Sequence, residues 1–274
     1  MRLGGPVFTD VHDPEQWLVG LKSFGYRAAV WPREHVQNVS AYVKAAYDAD
    51  IIIAEVGVWN NPISRDETER QQAIAYCQER LALADEVGAC CCVNVAGSRG
   101  EGGSRLHPDN LSQATFDLIV ETVRQIIDAV QPRRTFYTLE AMPYLIPDSA
   151  ERYVTLIEAI DRPRFAAHFD PANWISSPQK YFQNAAFIKE CVRQLGPHIK
   201  SCHLKDTRMD RQLTVHIDEV QPGLGNLDYR TLLREIENLS PEMPVILEHL
   251  QHEENYRAAA TYVCSVATEI GVSL

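Results

Sequence analysis

The sequence lacks the features that mark membrane, secreted and nucleic-acid-binding proteins. No window reaches the roughly 18 uninterrupted apolar residues that a membrane-spanning helix needs. No apolar segment follows Met1, so we expect no secretory signal. The 26 Lys and Arg are outnumbered by 37 Asp and Glu, and the resulting net charge of −11 disfavours nucleic acid and anionic membranes as partners. These absences favour a soluble enzyme or small-molecule binder.

The cysteines do not form the pattern of a disulfide framework. There are seven, an odd number, and Cys90, Cys91 and Cys92 are consecutive. Neighbouring residues on a strand point to opposite faces, so this trio suits small buried side chains better than disulfides or a metal cage. Free cysteines belong in a reducing compartment, and we therefore expect a cytoplasmic protein.

Linkers and low-complexity tracts are missing as well, and the chain alternates throughout between apolar runs and amphipathic helices. Strands that alternate with helices predict a parallel sheet. A doubly wound sheet is disfavoured because no G-x-G-x-x-G motif stands at the first strand-to-helix junction. Eight units of this kind predict one (β/α)8 TIM barrel domain over residues 1–274. The predicted strands are 3–8, 26–31, 51–57, 89–95, 135–140, 164–170, 199–204 and 244–248.

The last four predicted strands each end in a residue that can bind a metal. Strands five to eight are neighbours in a barrel, so these side chains should converge at the face where active sites lie. One carboxylate at a strand end is usually a helix cap or a solvated residue, but three together require a cation. Such an oxygen-rich set favours Mn²⁺ or Mg²⁺, with Co²⁺ or Zn²⁺ as alternatives. The four residues are Glu140, Asp170, His203 and Glu248.

The motifs around these residues resemble the xylose isomerase-like superfamily of sugar isomerases and epimerases. They are Leu139-Glu140, His168-x-Asp170-Pro171-x-Asn173, His203-Leu204-Lys205-Asp206 and Leu247-Glu248-His249. The resemblance implies that the same four residues bind one divalent cation. It also implies that Glu140 and Glu248 act as acid and base, moving a proton α to a carbonyl through an enediolate. The resemblance further implies a sugar or polyol as the substrate and a homodimer or homotetramer as the assembly.

Further residues are candidates for contact with the substrate. Lys205 is in phase with His203 and could reach a substrate oxygen, and His168 lies one layer below Asp170, where it could also be purely structural. Asn173 occupies a position where the family often has a second histidine. No phosphate-cradling glycine loop follows strands seven or eight, which favours a non-phosphorylated substrate. The remaining candidates are Trp59, as an apolar wall, and Arg208, where relatives often have an arginine.

Three other functions remain open. A metal-dependent lyase such as an inosose-type dehydratase would share the cation and the proton abstraction. A metal- or sugar-binding barrel without catalysis is possible, although it would not need both glutamates. An abasic-site endonuclease of the same superfamily would need more histidines at the strand ends, and His216 is the best support for it. We expect no nucleic-acid partner because the chain is acidic.

Overall fold

Eight parallel strands close into a barrel in the computed structural model, which describes residues 1–32, 36–101 and 106–274. Neighbouring strands follow chain order around the wall, and the last strand pairs with the first. The predicted (β/α)8 barrel is therefore confirmed. Its strands are β1 (Arg2–Gly5), β2 (Ala28–Val30), β3 (Ile52–Gly57), β4 (Cys91–Asn94), β5 (Phe136–Glu140), β6 (Phe165–Phe169), β7 (Ile199–Leu204) and β10 (Pro244–Leu247). Two further strands, β8 (Asp206–Asp210) and β9 (His216–Val220), lie outside the wall.

Helices pack around this barrel, and short polar side chains fix where several of them begin. Asp13, Asp66, Ser112 and Ser149 each accept a hydrogen bond from a backbone N–H in the first turn. Among the described residues, no helix has the length and apolar character needed to cross a membrane. The helices are α1 (Pro14–Ser23), α2 (Val39–Asp48), α3 (Glu67–Val87), α4 (Gln113–Val130), α5 (Ala150–Ile160), α6 (Pro178–Phe182), α7 (Asn184–Leu195), α8 (Tyr229–Leu239) and α9 (Glu253–Ile270).

Two segments differ from the sequence expectation. The sequence from 178 to 195 predicts a single helix, but the structure has two. Gln183 leaves helical geometry, and the Asn184 side chain donates to the carbonyl oxygens of Tyr181 and Asn226. The connection after β7 contains an antiparallel hairpin of β8 (Asp206–Asp210) and β9 (His216–Val220), which the sequence did not indicate. Most of this hairpin is exposed, so it has no apolar run that would reveal it.

Tyr153 of α5 joins β5 to β6, the two strands that carry the first candidate ligands. Its hydroxyl accepts hydrogen bonds from the backbone N–H groups of Leu139 and His168 at 3.0 and 3.3 Å. The same hydroxyl lies 2.6 Å from the carbonyl oxygen of Leu139 and 3.0 Å from that of Ala166. Since the ring is completely buried, no water can replace these contacts. Tyr153 therefore fixes the two strands against each other.

We predict that Tyr153→Phe lowers the free energy of unfolding by about 1 kcal/mol, because it removes the hydrogen bonds that a buried hydroxyl makes with both strands. The control is Tyr47→Phe, at a side chain that is 83% exposed and should change stability by less than about 0.5 kcal/mol. Urea unfolding followed by circular dichroism gives both values. Equal midpoints for the two variants would contradict the role given to Tyr153.

Candidate functional site

The carboxyl ends of β5, β6, β7 and β10 bring four ionisable side chains together. Glu140 ends β5, Asp170 follows β6, His203 is the penultimate residue of β7 and Glu248 follows β10. One potential ligand atom from each lies within 4.8 Å of the others. The Nδ1 atom of His203 is 3.1 Å from Oε1 of Glu140 and 2.7 Å from Oε1 of Glu248. We call these four residues the acidic centre.

Lys205 places its ammonium among the three carboxylates of the acidic centre. Its Nζ atom is 2.6 Å from Glu248 Oε1, 2.8 Å from Asp170 Oδ2 and 3.3 Å from Glu140 Oε1. The side chain is only 1% exposed. One lysine cannot neutralise three carboxylates, so gathering these three buried groups is unfavourable.

The donor set fits a divalent cation. Asp170 Oδ2 and Glu248 Oε1 are buried and lack a hydrogen bond within the described structure. Both oxygens lie within 2.8 Å of Lys205 Nζ, and Glu248 Oε1 is also 2.7 Å from His203 Nδ1. Carboxylate oxygens with one imidazole are typical ligands of Mn²⁺ or Mg²⁺ and are accepted by Zn²⁺ and Co²⁺.

Burial raises the pKa of each carboxyl group in the acidic centre, whereas the nearby positive charges of His203 and Lys205 lower it. Burial raises the pKa of Asp170 to about 7 in spite of the nearby Lys205. For Glu140 burial also opposes ionisation, but the hydrogen bond from His203 and the charge of Lys205 outweigh it and hold the pKa well below its usual range. The pKa of Glu248 is lowered mainly by His203, again against burial. The carboxylates next to His203 are therefore the more strongly ionised ones.

Asn173 and Trp59 lie next to the acidic centre. Asn173 donates from Nδ2 to Glu140 Oε1 at 3.2 Å, and its Oδ1 accepts from Lys205 at 3.3 Å. The Trp59 ring centre is 6.2 Å from that of His203. Its backbone is left-handed, with φ of 56°, and a Cβ on Gly57 would lie 2.3 Å from the indole nitrogen. Glycine at position 57 is thus what allows the indole to fold back over the barrel mouth.

His168 lies beneath the acidic centre in the barrel interior. Its ring centre is 4.0 Å from that of His203, and the two rings are nearly perpendicular. Neither ring nitrogen has a hydrogen bond within the described structure, although the side chain is completely buried. Burial, followed by the charge of His203, holds its pKa well below its ordinary value, so His168 is a neutral imidazole at physiological pH.

The structure places Arg208 apart from the other candidates. It is an exposed residue of β8, and its guanidinium pairs with Asp210 at 3.3 Å. The hairpin instead directs a different residue, Glu219 of β9, towards the barrel mouth. Glu219 Oε2 is 3.9 Å from Lys205 Nζ and 3.1 Å from His249 Nδ1. Since the sequence did not indicate the hairpin, it could not indicate Glu219.

Two buried acids near the acidic centre were also missed. Glu55 of β3 is 3% exposed and lies 3.4 Å from His203 Nε2. A single charge inside the apolar run 51–57 was the available signal, because an unpaired buried charge is rare. Asp206, the last residue of the His-Leu-Lys-Asp motif, accepts hydrogen bonds from the backbone N–H groups of Thr207, Gly223, Gly225 and Leu227.

A cavity of 470 Å³ opens beside the acidic centre, along the ends of β1, β2, β3 and β10. Glu248 and Glu55 face it from the barrel, and five aromatic side chains contribute to its wall. A smaller cavity of 330 Å³ lies between Asn173 and the hairpin. An acidic, metal-compatible group beside a concave cavity is the arrangement of a small-molecule site. The aromatic lining of the larger cavity consists of Phe8, Trp17, Trp31, Trp59 and Tyr256.

Comparison with known proteins adds a family and a set of structural neighbours. The sequence profile of the xylose isomerase-like TIM barrel family matches residues 20–266. No curated protein sequence matches the chain. A xylose isomerase-like TIM barrel protein from Mycobacterium smegmatis in complex with magnesium is 15% identical, with 98% of this chain and 97% of that chain covered and a TM-score of 0.69.

Two further solved structures are sugar epimerases. D-psicose 3-epimerase from Clostridium cellulolyticum H10, solved with D-tagatose, is 13% identical; 98% of this chain and 99% of that chain are covered, with a TM-score of 0.72. The 3-keto-D-glucoside 4-epimerase from E. coli is 14% identical; 97% of this chain and 99% of that chain are covered, with a TM-score of 0.71. At these identities the likeness establishes the fold.

We predict that Asp170→Asn gains stability relative to the unchanged protein as pH rises, when both are free of metal. The raised pKa means that Asp170 keeps its proton in the folded protein between about pH 4 and pH 7, where the same residue in the unfolded chain has lost it. The free energy of unfolding of the unchanged protein therefore falls as the pH rises through this window. Urea unfolding at about pH 5 and pH 8 in chelator measures the difference.

Saturating Mg²⁺ is the control for this prediction, because a bound cation stabilises the carboxylate and should remove the disadvantage of the unchanged protein at high pH. Parallel pH profiles of the two proteins in chelator would show that Asp170 is already ionised in the metal-free fold, and the assignment of its raised pKa would be wrong.

Proposed function

The chain belongs to the xylose isomerase-like TIM barrel family, and from this premise we propose that it is a divalent-metal-dependent sugar isomerase or epimerase. The proposal rests on the observation that Glu140 and Glu248 both face the same side of His203 in the acidic centre. Both carboxylates are within 3.1 Å of the same nitrogen of His203, and Glu248 faces the larger cavity. Sugar epimerases among the structural neighbours support the substrate class.

Glu140, Asp170, His203 and Glu248 would hold one divalent cation, and Mn²⁺ or Mg²⁺ suits their hard oxygen donors best. Co²⁺ or Zn²⁺ would be alternatives. When bound, the cation would polarise the carbonyl of the substrate and make the adjacent C–H bond more acidic. A structural neighbour in complex with magnesium supports a cation of this kind.

The proton is moved by the two glutamates of the acidic centre. One removes a proton from the carbon next to the carbonyl, and the other returns a proton to the enediolate, on the opposite face for an epimerisation. Their lowered pKa values keep both ionised before substrate binds, so the one that acts as the base is ready to accept a proton, and the one that acts as the acid first takes up a proton from solvent. Lys205 offsets the negative charge that develops on the substrate oxygen, since its ammonium already lies among the carboxylates.

The cavity accounts for the binding of a sugar or polyol. Trp59, which lines the larger cavity, covers the apolar side of the carbon skeleton, and Asn173, which lines the smaller cavity, orients a hydroxyl while it holds Glu140. His168 supports the acidic centre from below. Arg208 stays a predicted substrate contact. A non-phosphorylated substrate, a cytoplasmic location and a homodimer or homotetramer are part of the same proposal.

We predict that the metal-stripped protein takes up about one Mn²⁺ per chain after reconstitution and dialysis, as measured by elemental analysis. Asp170→Asn should reduce the uptake, because it removes one oxygen ligand. Failure of the unchanged protein to retain any divalent metal offered would refute the metal-dependent function.

We predict that Glu140→Gln and Glu248→Gln each reduce the incorporation of solvent deuterium into the product by more than about 100-fold, because each removes a proton-transfer group. Mass spectrometry of keto sugars incubated in D2O with the Mn²⁺-loaded protein gives the rate. Glu121→Gln, at an exposed glutamate of α4, is the matched control and should keep full activity.

Incubations of the Mn²⁺-loaded protein with keto sugars and with abasic DNA separate the alternatives. A product that has lost water identifies a dehydratase, whose proton abstraction would still depend on one of the two glutamates. Cleavage of abasic DNA without action on any keto sugar would identify the nuclease and would contradict the proposal.

A further inference from the structure

Glu55 is the one acidic side chain of β3, and it touches His203 on the side away from the other carboxylates. Both carboxylate oxygens of Glu55 are 3.4 Å from Nε2 of His203. The hydroxyl of Ser201, on β7, donates to Oε2 of Glu55 at 3.4 Å. Since Glu55 is only 3% exposed, its position is determined by these neighbours.

The two nitrogens of His203 face different surroundings. Nδ1 points to Glu140 and Glu248, where the cation of the proposed function would lie, whereas Nε2 points to Glu55. An imidazole that binds a metal through one nitrogen carries its proton on the other, and that N–H needs an acceptor. Glu55 is in the position of this acceptor.

We propose that Glu55 is a positioning residue, which holds His203 with Nε2–H towards β3 and Nδ1 free to bind the cation. The inference rests on the proposed function, because it assigns a role in the same metal site. Glu55 acts through His203 and does not itself bind the cation. Its negative charge also makes the imidazole a stronger ligand.

The alternative role for Glu55 is that of a metal ligand, since Glu55, Cys91 and His168 form a second cluster of potential ligands. Two ligands about 2.1 Å from one ion are about 3 Å apart when they subtend a right angle. His203 Nδ1 and its two carboxylate neighbours fulfil this condition at 3.1 and 2.7 Å. His168 Nδ1 and Glu55 Oε2 are 4.0 Å apart, so the geometry favours the positioning role.

The experiment compares Glu55→Ala, Glu55→Gln and the control Cys91→Ser. Titration with Mn²⁺, followed by the electron paramagnetic resonance of the free ion, gives the affinity. Histidine 15N chemical shifts of the Mg²⁺-loaded protein report which nitrogen of His203 carries the proton. Urea unfolding of each variant shows whether the fold is intact, and Glu55→Gln keeps the shape of the side chain if the alanine variant does not fold.

We expect Glu55→Ala to weaken Mn²⁺ binding by about 10–100-fold and to lose the fixed Nε2–H form of His203. Glu55→Gln can still accept the hydrogen bond and should keep this form, with a smaller loss of affinity. Cys91→Ser should change neither. A structural role alone would lower the stability of the variants without changing the protonated nitrogen of His203.

Two results would overturn the inference. Unchanged Mn²⁺ affinity and an unchanged His203 in Glu55→Ala would show that Glu55 does not position the ligand. A second equivalent of Co²⁺ with thiolate charge-transfer absorption, lost in Cys91→Ser, would make Glu55 a ligand of a second ion. Absence of any metal binding by the unchanged protein refutes the proposed function itself, and the role of Glu55 falls with it.

Discussion

Mutual repulsion of three carboxylates at the barrel mouth is the constraint on which the rest of the site depends. Glu140 and Asp170 are almost completely buried and Glu248 is only 15% exposed, so solvent cannot separate their charges. The surrounding structure counters the repulsion in several ways. Lys205 and His203 bring positive charge, Asn173 donates a hydrogen bond to Glu140, and Tyr153 holds the strands in register.

The barrel makes this concentration of charge possible. Parallel strands present their carboxyl ends on one face, and adjacent strands are close enough for residues at corresponding positions to meet. A group one layer deeper, such as His168, then touches the acidic centre from below. The consequence is a site whose groups come from separate strands but whose relative positions are fixed by the hydrogen bonds of the wall.

The alternation of apolar runs and helices was sufficient to predict the barrel, because each strand buries both faces and each helix only one. The rule that active sites lie at the strand ends indicated Glu140, Asp170, His203 and Glu248 as a group, and the structure brings them together. Glu55 was missed because the lone charge in the apolar run 51–57 does not reveal its partner, His203, on the opposite side of the barrel. The hairpin of β8 and β9 was not predicted because its side chains are mostly exposed and show no alternation of apolar and polar residues.

Asp206 has a consequence for how this protein could be diversified. Asp206 is the first residue of the hairpin. Its carboxylate accepts hydrogen bonds from the backbone N–H groups of Gly223, Gly225 and Leu227, which follow the hairpin in the chain. The hairpin is therefore held at its base by these hydrogen bonds, whereas residues 211–215 at its tip are exposed. Sequence and length at residues 211–215 can then vary without moving the strand that carries His203. Substitutions, insertions or deletions at the tip, whether selected naturally or introduced in a designed library, can change which molecules reach the barrel mouth. The residues of the acidic centre stay the same.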